Sequence, residues 1–217
     1  MRSIDKKVVM AVTGLMLLGF VIMHLLGNLL IYRGPDALNG YAAKLRHMGS
    51  VLWMVRLTLL TAVIVHIAMA IILTRENRSA RPIAYTVKRS AQTTYAARTM
   101  MVSGVLLSAF IVYHLLHFTF GVTHPGISHL TDALGRHDVY AMVVGSFHDP
   151  YLVLGYGVSM ALLCAHLSHG IGSFLQSLGL NDERWLPVVT CAGWILSALL
   201  FVGYASIPTS ILLGWVR

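Results

Sequence analysis

Residues 8–32 read VVMAVTGLMLLGFVIMHLLGNLLIY, with no Asp, Glu, Lys or Arg from Val8 to Tyr32. A secretory signal has an apolar core of only ~7–15 residues and closes on a small-x-small cleavage site, which this stretch lacks. The run also exceeds the ~18 residues that separate a membrane span from a buried core helix. It reads as a retained first span. Helix is its expected form, because in lipid every backbone polar group must find its partner within the segment. One histidine, His24, lies well inside it.

Four further apolar segments follow, at 51–74, 98–121, 151–176 and 187–207. They account for a composition of 57% hydrophobic and 11% charged residues over 217 positions, against roughly 25% charged in soluble domains. That balance excludes a soluble enzyme, a disordered chain and a disulfide-stapled secreted module. Cys164 and Cys191 both fall inside apolar runs, and no Cys-x-x-Cys-His occurs, so covalent haem attachment is excluded. The connections at 33–50 and 122–150 carry turn-formers such as Arg33-Gly34-Pro35-Asp36 and His124-Pro125-Gly126. Trp53, Trp185, Tyr32 and Tyr151 stand at segment ends, where amphipathic rings favour the interface. No fixed-period repeat or interdomain linker breaks residues 1–217, which read as one all-α transmembrane bundle of five helices.

The net charge of +8 has a direction. Arg2, Lys6, Lys7, Arg75, Arg78, Arg81, Lys88, Arg89, Arg98 and Arg184 fall on one side of the spans; Arg33, Lys44, Arg46, Arg56, Arg136 and Arg217 fall on the other. The richer side is expected to be cytoplasmic, which places the N-terminus inside. The basic 75–97 loop suits anionic lipid or a partner subunit. The basic residues are not interleaved with aromatics on a hydrophilic surface, so nucleic acid has no support as a partner.

The histidines carry the function. His24, His66, His114, His117 and His166 lie within spans, with His169 a turn beyond the last, and an ionisable residue in a span points to function by default. His24 and His114 each lie 16 residues into ascending spans that start at 8 and 98, ~24 Å from the cytoplasmic edge at 1.5 Å per residue. His66 and His166 lie on descending spans, ~14–15 Å from that edge by the same rise. An outer pair and an inner pair result, roughly 10 Å apart along the membrane normal. Two histidines from different helices at one depth are what a bis-histidine b-type haem requires, and with both axial positions filled the function left is electron transfer. Zinc fits less well, since its ligands cluster and the spans hold no acidic residue. The pairs His114/His117 and His166/His169 stand at i, i+3 on one face, so one member at most is a ligand. Depth favours His114 slightly over His117 and does not separate His166 from His169.

The chain resembles the two-haem cytochrome b subunit of succinate:quinone oxidoreductases, the five-helix anchor class of succinate dehydrogenases and quinol:fumarate reductases. The elements that carry the likeness are Gly19-Phe-Val-Ile-Met-His24, Ile64-Val-His66, Ser103-Gly104 ten residues ahead of His114, and His166-Leu-Ser-His169-Gly170 leading to Leu178-Gly179. The resemblance implies His24 and His114 as ligands of a distal haem b, and His66 and His166 as ligands of a proximal one. His117 and His169 become neighbours or alternative ligands. The spacing from His166 to Gly179 matches the family's ligand-to-glycine spacing and favours His166.

The family further implies a flavoprotein subunit with FAD and an iron–sulfur subunit on the cytoplasmic face of a bacterial inner membrane. A quinone, expected to be menaquinone, would exchange electrons in the bilayer. The oligomeric state stays open, a dimer of the whole complex included. No residue of this chain could perform dicarboxylate chemistry, so no catalytic residue is expected. For the quinone, the polar residues Tyr41, Lys44, Arg46 and His47 on the outer side are the candidates. Relatives that move protons through a glutamate two residues before the fourth ligand have no counterpart here, where that position is Cys164. The rival readings are the cytochrome b subunit of a nitrate reductase or hydrogenase, or a transporter or scaffold without cofactor. The first of these often places two widely separated histidines on one helix, which no span here does.

Overall fold

A computed structural model describes residues 2–79, 95–177, 179 and 184–217. Arg81, Lys88 and Arg89 of the basic loop, the side chain of Arg98, and Leu178 lie outside the described residues. The described residues form helices and no strand: α1 (Ser3–Asn28), α2 (Pro35–His47), α3 (Ser50–Ser79), α4 (Tyr95–His114), α5 (Pro125–Ser128), α6 (Val139–Ser146), α7 (Pro150–Ser177) and α8 (Leu186–Leu212). A 3-10 turn, Leu29–Arg33, prolongs α1, and a π-helical turn, Leu115–Thr119, prolongs α4. Five helices are long and apolar enough to cross a membrane: Ser3–Arg33, Ser50–Ser79, Thr99–Thr119, Pro150–Ser177 and Leu186–Leu212. The chain is thus a multi-pass helical membrane protein. Its outward faces carry Leu57, Ile64, Val105, Leu154, Leu199 and Val202, all exposed, as lipid contact requires.

Successive spans run antiparallel. At one end the Lys6 ammonium pairs with Glu76, joining the start of α1 to the end of α3. At the other end the Tyr32 hydroxyl donates to Ser206 Oγ at 2.9 Å, joining the end of the first span to the end of α8. α1 packs along α3 and α7, and α7 packs along α4 and α8. Contacts between α3 and α4, α1 and α4, and α3 and α7 are marginal or absent among the described residues. Four spans therefore stand in the order α3, α1, α7, α4 around a common interior, with little direct packing of α3 on α4 among the described residues and α8 against the outside of α7.

The connections expected as turns at 33–50 and 122–150 hold helices of their own. Gly34, at φ +91°, ends the first span. Pro35 then opens α2 from its first helical position, where a missing N–H costs nothing. Asp36 in its first turn and Lys44, Arg46 and His47 in its last complement the helix dipole. α6 is apolar but far too short to span, and Asp138 caps it by accepting from the Ala141 amide at 2.9 Å. Buried Asn39 sews α2 to α6, donating to Asp138 at 2.9 Å and accepting from the Tyr140 amide at 2.9 Å. This cap covers the main apolar cluster, which includes Ile31, Leu38, Val143, Phe147, Tyr156 and Ile211.

Candidate cofactor-binding site

Histidine placement follows from that order of helices. His24 on α1 and His114 on α4 face each other across one diagonal, ring centroids 5.8 Å apart and planes at 89°. His66 on α3 and His166 on α7 lie across the other diagonal, within electrostatic reach of one another. Neither pair sits on helices that pack directly, so each pair spans the interior. Two imidazoles on opposite sides of one metal, with bonds of ~2 Å, have centroids about 6 Å apart; the spacing of His24 and His114 fits that arrangement.

Each inner ring is fixed by a hydroxyl and given room by a glycine. Thr13 on α1 donates its hydroxyl proton to the carbonyls of Val9 at 2.9 Å and Met10 at 3.0 Å. Its oxygen is then free to accept from His66 Nδ1 at 3.2 Å, and the Met10 carbonyl accepts from the same nitrogen at 3.1 Å. Since a carbonyl can only accept, His66 carries its proton on Nδ1 and keeps the lone pair on Nε2. Across the bundle, Ser103 on α4 donates to Met100 O at 3.1 Å and accepts from His166 Nδ1 at 3.1 Å. His166 too is left with a lone pair on Nε2. A Cβ on Gly14 would come within 3.2 Å of His66 Cε1, and one on Gly104 within 3.7 Å of His166 Cε1.

The two ambiguous neighbours separate on the same criterion. His117 is fully buried, with Nδ1 2.9 Å from the Tyr156 hydroxyl and Nε2 3.1 Å from Ser146 Oγ, so both nitrogens are taken by protein. His114 has Tyr156 Oη 3.4 Å from Nδ1 and no partner for Nε2 among the described residues. His169 Nε2 is bonded to Ser173 Oγ at 3.0 Å, whereas His166 Nε2 has no such bond. His24 makes no side-chain hydrogen bond among the described residues; Phe20 stacks on it at 5.2 Å and Tyr204 lies at 6.3 Å. Among the six histidines of the spans, those with an Nε2 that no described residue engages are His24, His66, His114 and His166. Among the described residues, no group of three or more His, Cys, Asp or Glu converges as a metal cluster.

The geometry exposes a pattern that a search for fixed-period repeats passes over. Residues 13–24 and 103–114 share the form [Thr/Ser]-Gly-x5-Phe-x3-His: Thr13, Gly14, Phe20, His24 and Ser103, Gly104, Phe110, His114. The hydroxyl and glycine serve a histidine of the opposite diagonal, while the histidine ten residues on serves its own. α1 and α4 thus play equivalent parts at both levels.

The four residues nominated for a quinone do not stay together. Tyr41 lies over Gly27 of α1, where a Cβ would fall 2.7 Å from its ring. Lys44 is exposed. Arg46 and His47 line a cavity of about 300 Å³ together with Ala42, Leu134, Arg136 and His137. His137 donates Nε2–H to Ser128 O at 2.8 Å, which leaves the lone pair on Nδ1 buried without a partner among the described residues. Sequence reasoning had no signal for His137, which sits in a connection rather than a span. Arg136 bonds Asp132 at 2.7 Å and Asp36 at 2.8 Å. No family model, no curated protein and no solved structure matches this chain.

Proposed function

We infer that this chain is the two-haem cytochrome b anchor of a succinate:quinone oxidoreductase or quinol:fumarate reductase. In this reading it carries electrons between a membrane quinone, menaquinone by class, and an iron–sulfur subunit, itself docked to an FAD flavoprotein. The supporting observation is that four histidines on four helices meet in two diagonal pairs, each with an unengaged Nε2. In three of the four, Nδ1 is bonded to a protein group, the tethering that orients a ligating imidazole and raises its basicity. A haem held between two such rings takes up and releases one electron at its iron and keeps no open position. His24 and His114 would hold the group at the end capped by α2 and α6, and His66 and His166 the group toward the N-terminal end. On the positive-inside count, the N-terminal end faces the cytoplasm of a bacterial inner membrane and meets the soluble subunits.

For the quinone, the cavity beside Arg46 and His47 is the better half of the original candidates. At about 300 Å³ it is at the low end of the ~300–1,000 Å³ of small-molecule sites. A quinone needs donors for its carbonyl oxygens, and at this cavity the Arg46 guanidinium could supply one.

The deciding experiment is a haem count with reduced-minus-oxidised spectra on the purified chain. Two low-spin haems b are expected, falling to one in His66→Ala or His114→Ala and staying at two in His169→Ala. Fewer than two haems in the unaltered chain, or loss of one in His169→Ala with none in His166→Ala, overturns the assignment.

A further inference from the structure

Behind His114 runs a chain of donors with no counterpart at the other three histidines among the described residues, and its direction follows from its far end. Ser146 gives its hydroxyl proton to the Met142 carbonyl at 2.7 Å, so towards His117 it can only accept. His117 Nε2, 3.1 Å away, must then be the N–H, which leaves the lone pair of a neutral ring on Nδ1. The Tyr156 hydroxyl donates to that lone pair at 2.9 Å. Having spent its proton, Tyr156 Oη accepts from His114 Nδ1 at 3.4 Å. The last proton therefore sits on His114 Nδ1, and the lone pair sits on Nε2. A backbone carbonyl of α6 selects the tautomer of a ring on α4, through three side chains on three elements.

The π-helical turn Leu115–Thr119 contains His117. There it stacks on Phe118 at 4.0 Å and lies against Tyr156 at 5.9 Å. Such turns within α-helices are frequently found at functional sites. A phenol that donates its own proton becomes a better acceptor, since hydrogen bonds in a chain polarise one another. At 3.4 Å it keeps the His114 proton on Nδ1, and the bond makes the opposite nitrogen a more basic ligand. Thr13 and Ser103 also end on carbonyls of their own helices, but they do so directly, with no second ring between tether and carbonyl.

We propose that Tyr156, held by His117, is a positioning residue that fixes the His114 tautomer and lowers the reduction potential of the group bound by His24 and His114. This rests on the two-haem reading. A more basic axial imidazole favours the oxidised iron, so removing the phenol oxygen raises the potential of that haem and leaves the other where it was.

The test is an optical redox titration with low-temperature EPR on the full chain with its haems. Tyr156→Phe keeps the ring among Phe110, Phe118 and Phe147, which lie 5.1, 5.9 and 5.0 Å away. It should shift one midpoint upward and change one set of EPR g-values. His117→Leu should shift the same midpoint the same way. His117→Gln, which can accept from Tyr156 and donate to Ser146, should restore it. The double variant Tyr156→Phe/His117→Leu should shift no further than Tyr156→Phe, because the two residues act through one bond. Two haems whose potentials and g-values stay unmoved in Tyr156→Phe, or move together, overturn the role of Tyr156 alone. A haem count below two in the unaltered chain overturns the reading beneath it.

Discussion

At the N-terminal end, His66 and His166 each give their Nδ1 proton to a hydroxyl on a neighbouring helix, and the hydroxyl spends its own proton on a carbonyl one turn away. At the capped end the two rings are unlike each other. His114 is tied through Tyr156 to His117 and Ser146, while His24 is set among Phe20 and Tyr204, whose hydroxyl goes to the Val21 carbonyl at 2.7 Å. One end is a pair of equivalent short tethers; the other is one long tether and one aromatic clamp. A local tether fixes the angle of a ring and little else. A tether that crosses three elements also responds to how those elements pack, so the capped end is where second-layer changes should alter electronic properties.

The equivalence of the inner tethers can be broken in a predicted order. Ser103→Ala leaves His166 Nδ1 with no acceptor among the described residues, because Ser103 is its only bond there. Thr13→Val leaves His66 bonded to the Met10 carbonyl at 3.1 Å. Loss of an outer partner of a ligating histidine costs ~10–100-fold in affinity. On the two-haem reading, Ser103→Ala should reach that range for the haem held by His66 and His166, and Thr13→Val should fall well short of it. Haem retention under increasing concentrations of a competing apo-globin measures the difference. Equal losses would mean that Met10 does not hold His66.

The glycines invert that order with a smaller effect. Gly14→Ala puts a methyl 3.2 Å from His66 Cε1, closer than ordinary contact, whereas Gly104→Ala puts one 3.7 Å from His166 Cε1. Overpacking typically costs about 1–3 kcal/mol, so Gly14→Ala should lower the melting temperature and, on the two-haem reading, broaden the spectrum of the haem beside His66. Gly104→Ala should leave both nearly unchanged. Melting followed at the Soret band reads both variants.

Much of this arrangement can be read before the fold is known, for a physical reason. Lipid leaves an apolar run of this length one stable form, so the expected segments 8–32 and 51–74 lie inside the observed Ser3–Arg33 and Ser50–Ser79. Depth follows from the rise per residue, and that alone pairs His24 with His114, which do face each other. Lateral order does not follow from depth: which helices pack and which face across the interior depends on side-chain fit, so the diagonals were not legible. The choice between His114 and His117 was legible only as a slight preference from depth, and the hydrogen bonds that the π-helical turn gives His117 are what set the two apart. α2 and α6 were hidden because Gly34-Pro35 signals a stop as strongly as Pro35 signals a start. The Thr13-Gly14 and Ser103-Gly104 motifs were legible, but the four histidines are spaced unequally, at 42, 48 and 52 residues, so no fixed period reveals them.

The smallest expected effect concerns acid, and it should appear at the capped end only. Burial alone would raise the Asp132 carboxyl, but it accepts from the Arg136 amide at 2.9 Å, the Arg136 Nε at 2.7 Å and the Leu134 amide at 3.0 Å. Together with the guanidinium charge these bonds outweigh burial and hold it below its ordinary value of 3.8. A carboxylate depressed by folding contributes stability that is fully present above its unfolded value and lost as pH falls through the folded one. The order of residues 132–136 should therefore be constant from pH 8 to about 5, and fall only below ~4, where the carboxylate protonates. The amides of Leu134 and Arg136 report this directly through hydrogen exchange corrected for the intrinsic effect of pH. In Asp132→Ala both should exchange fast at every pH, and Arg136, left with Asp36, should hold α2 less firmly. Loss of this protection near pH 6 in the unaltered chain would mean that Asp132 is not the group that holds the cap together in acid.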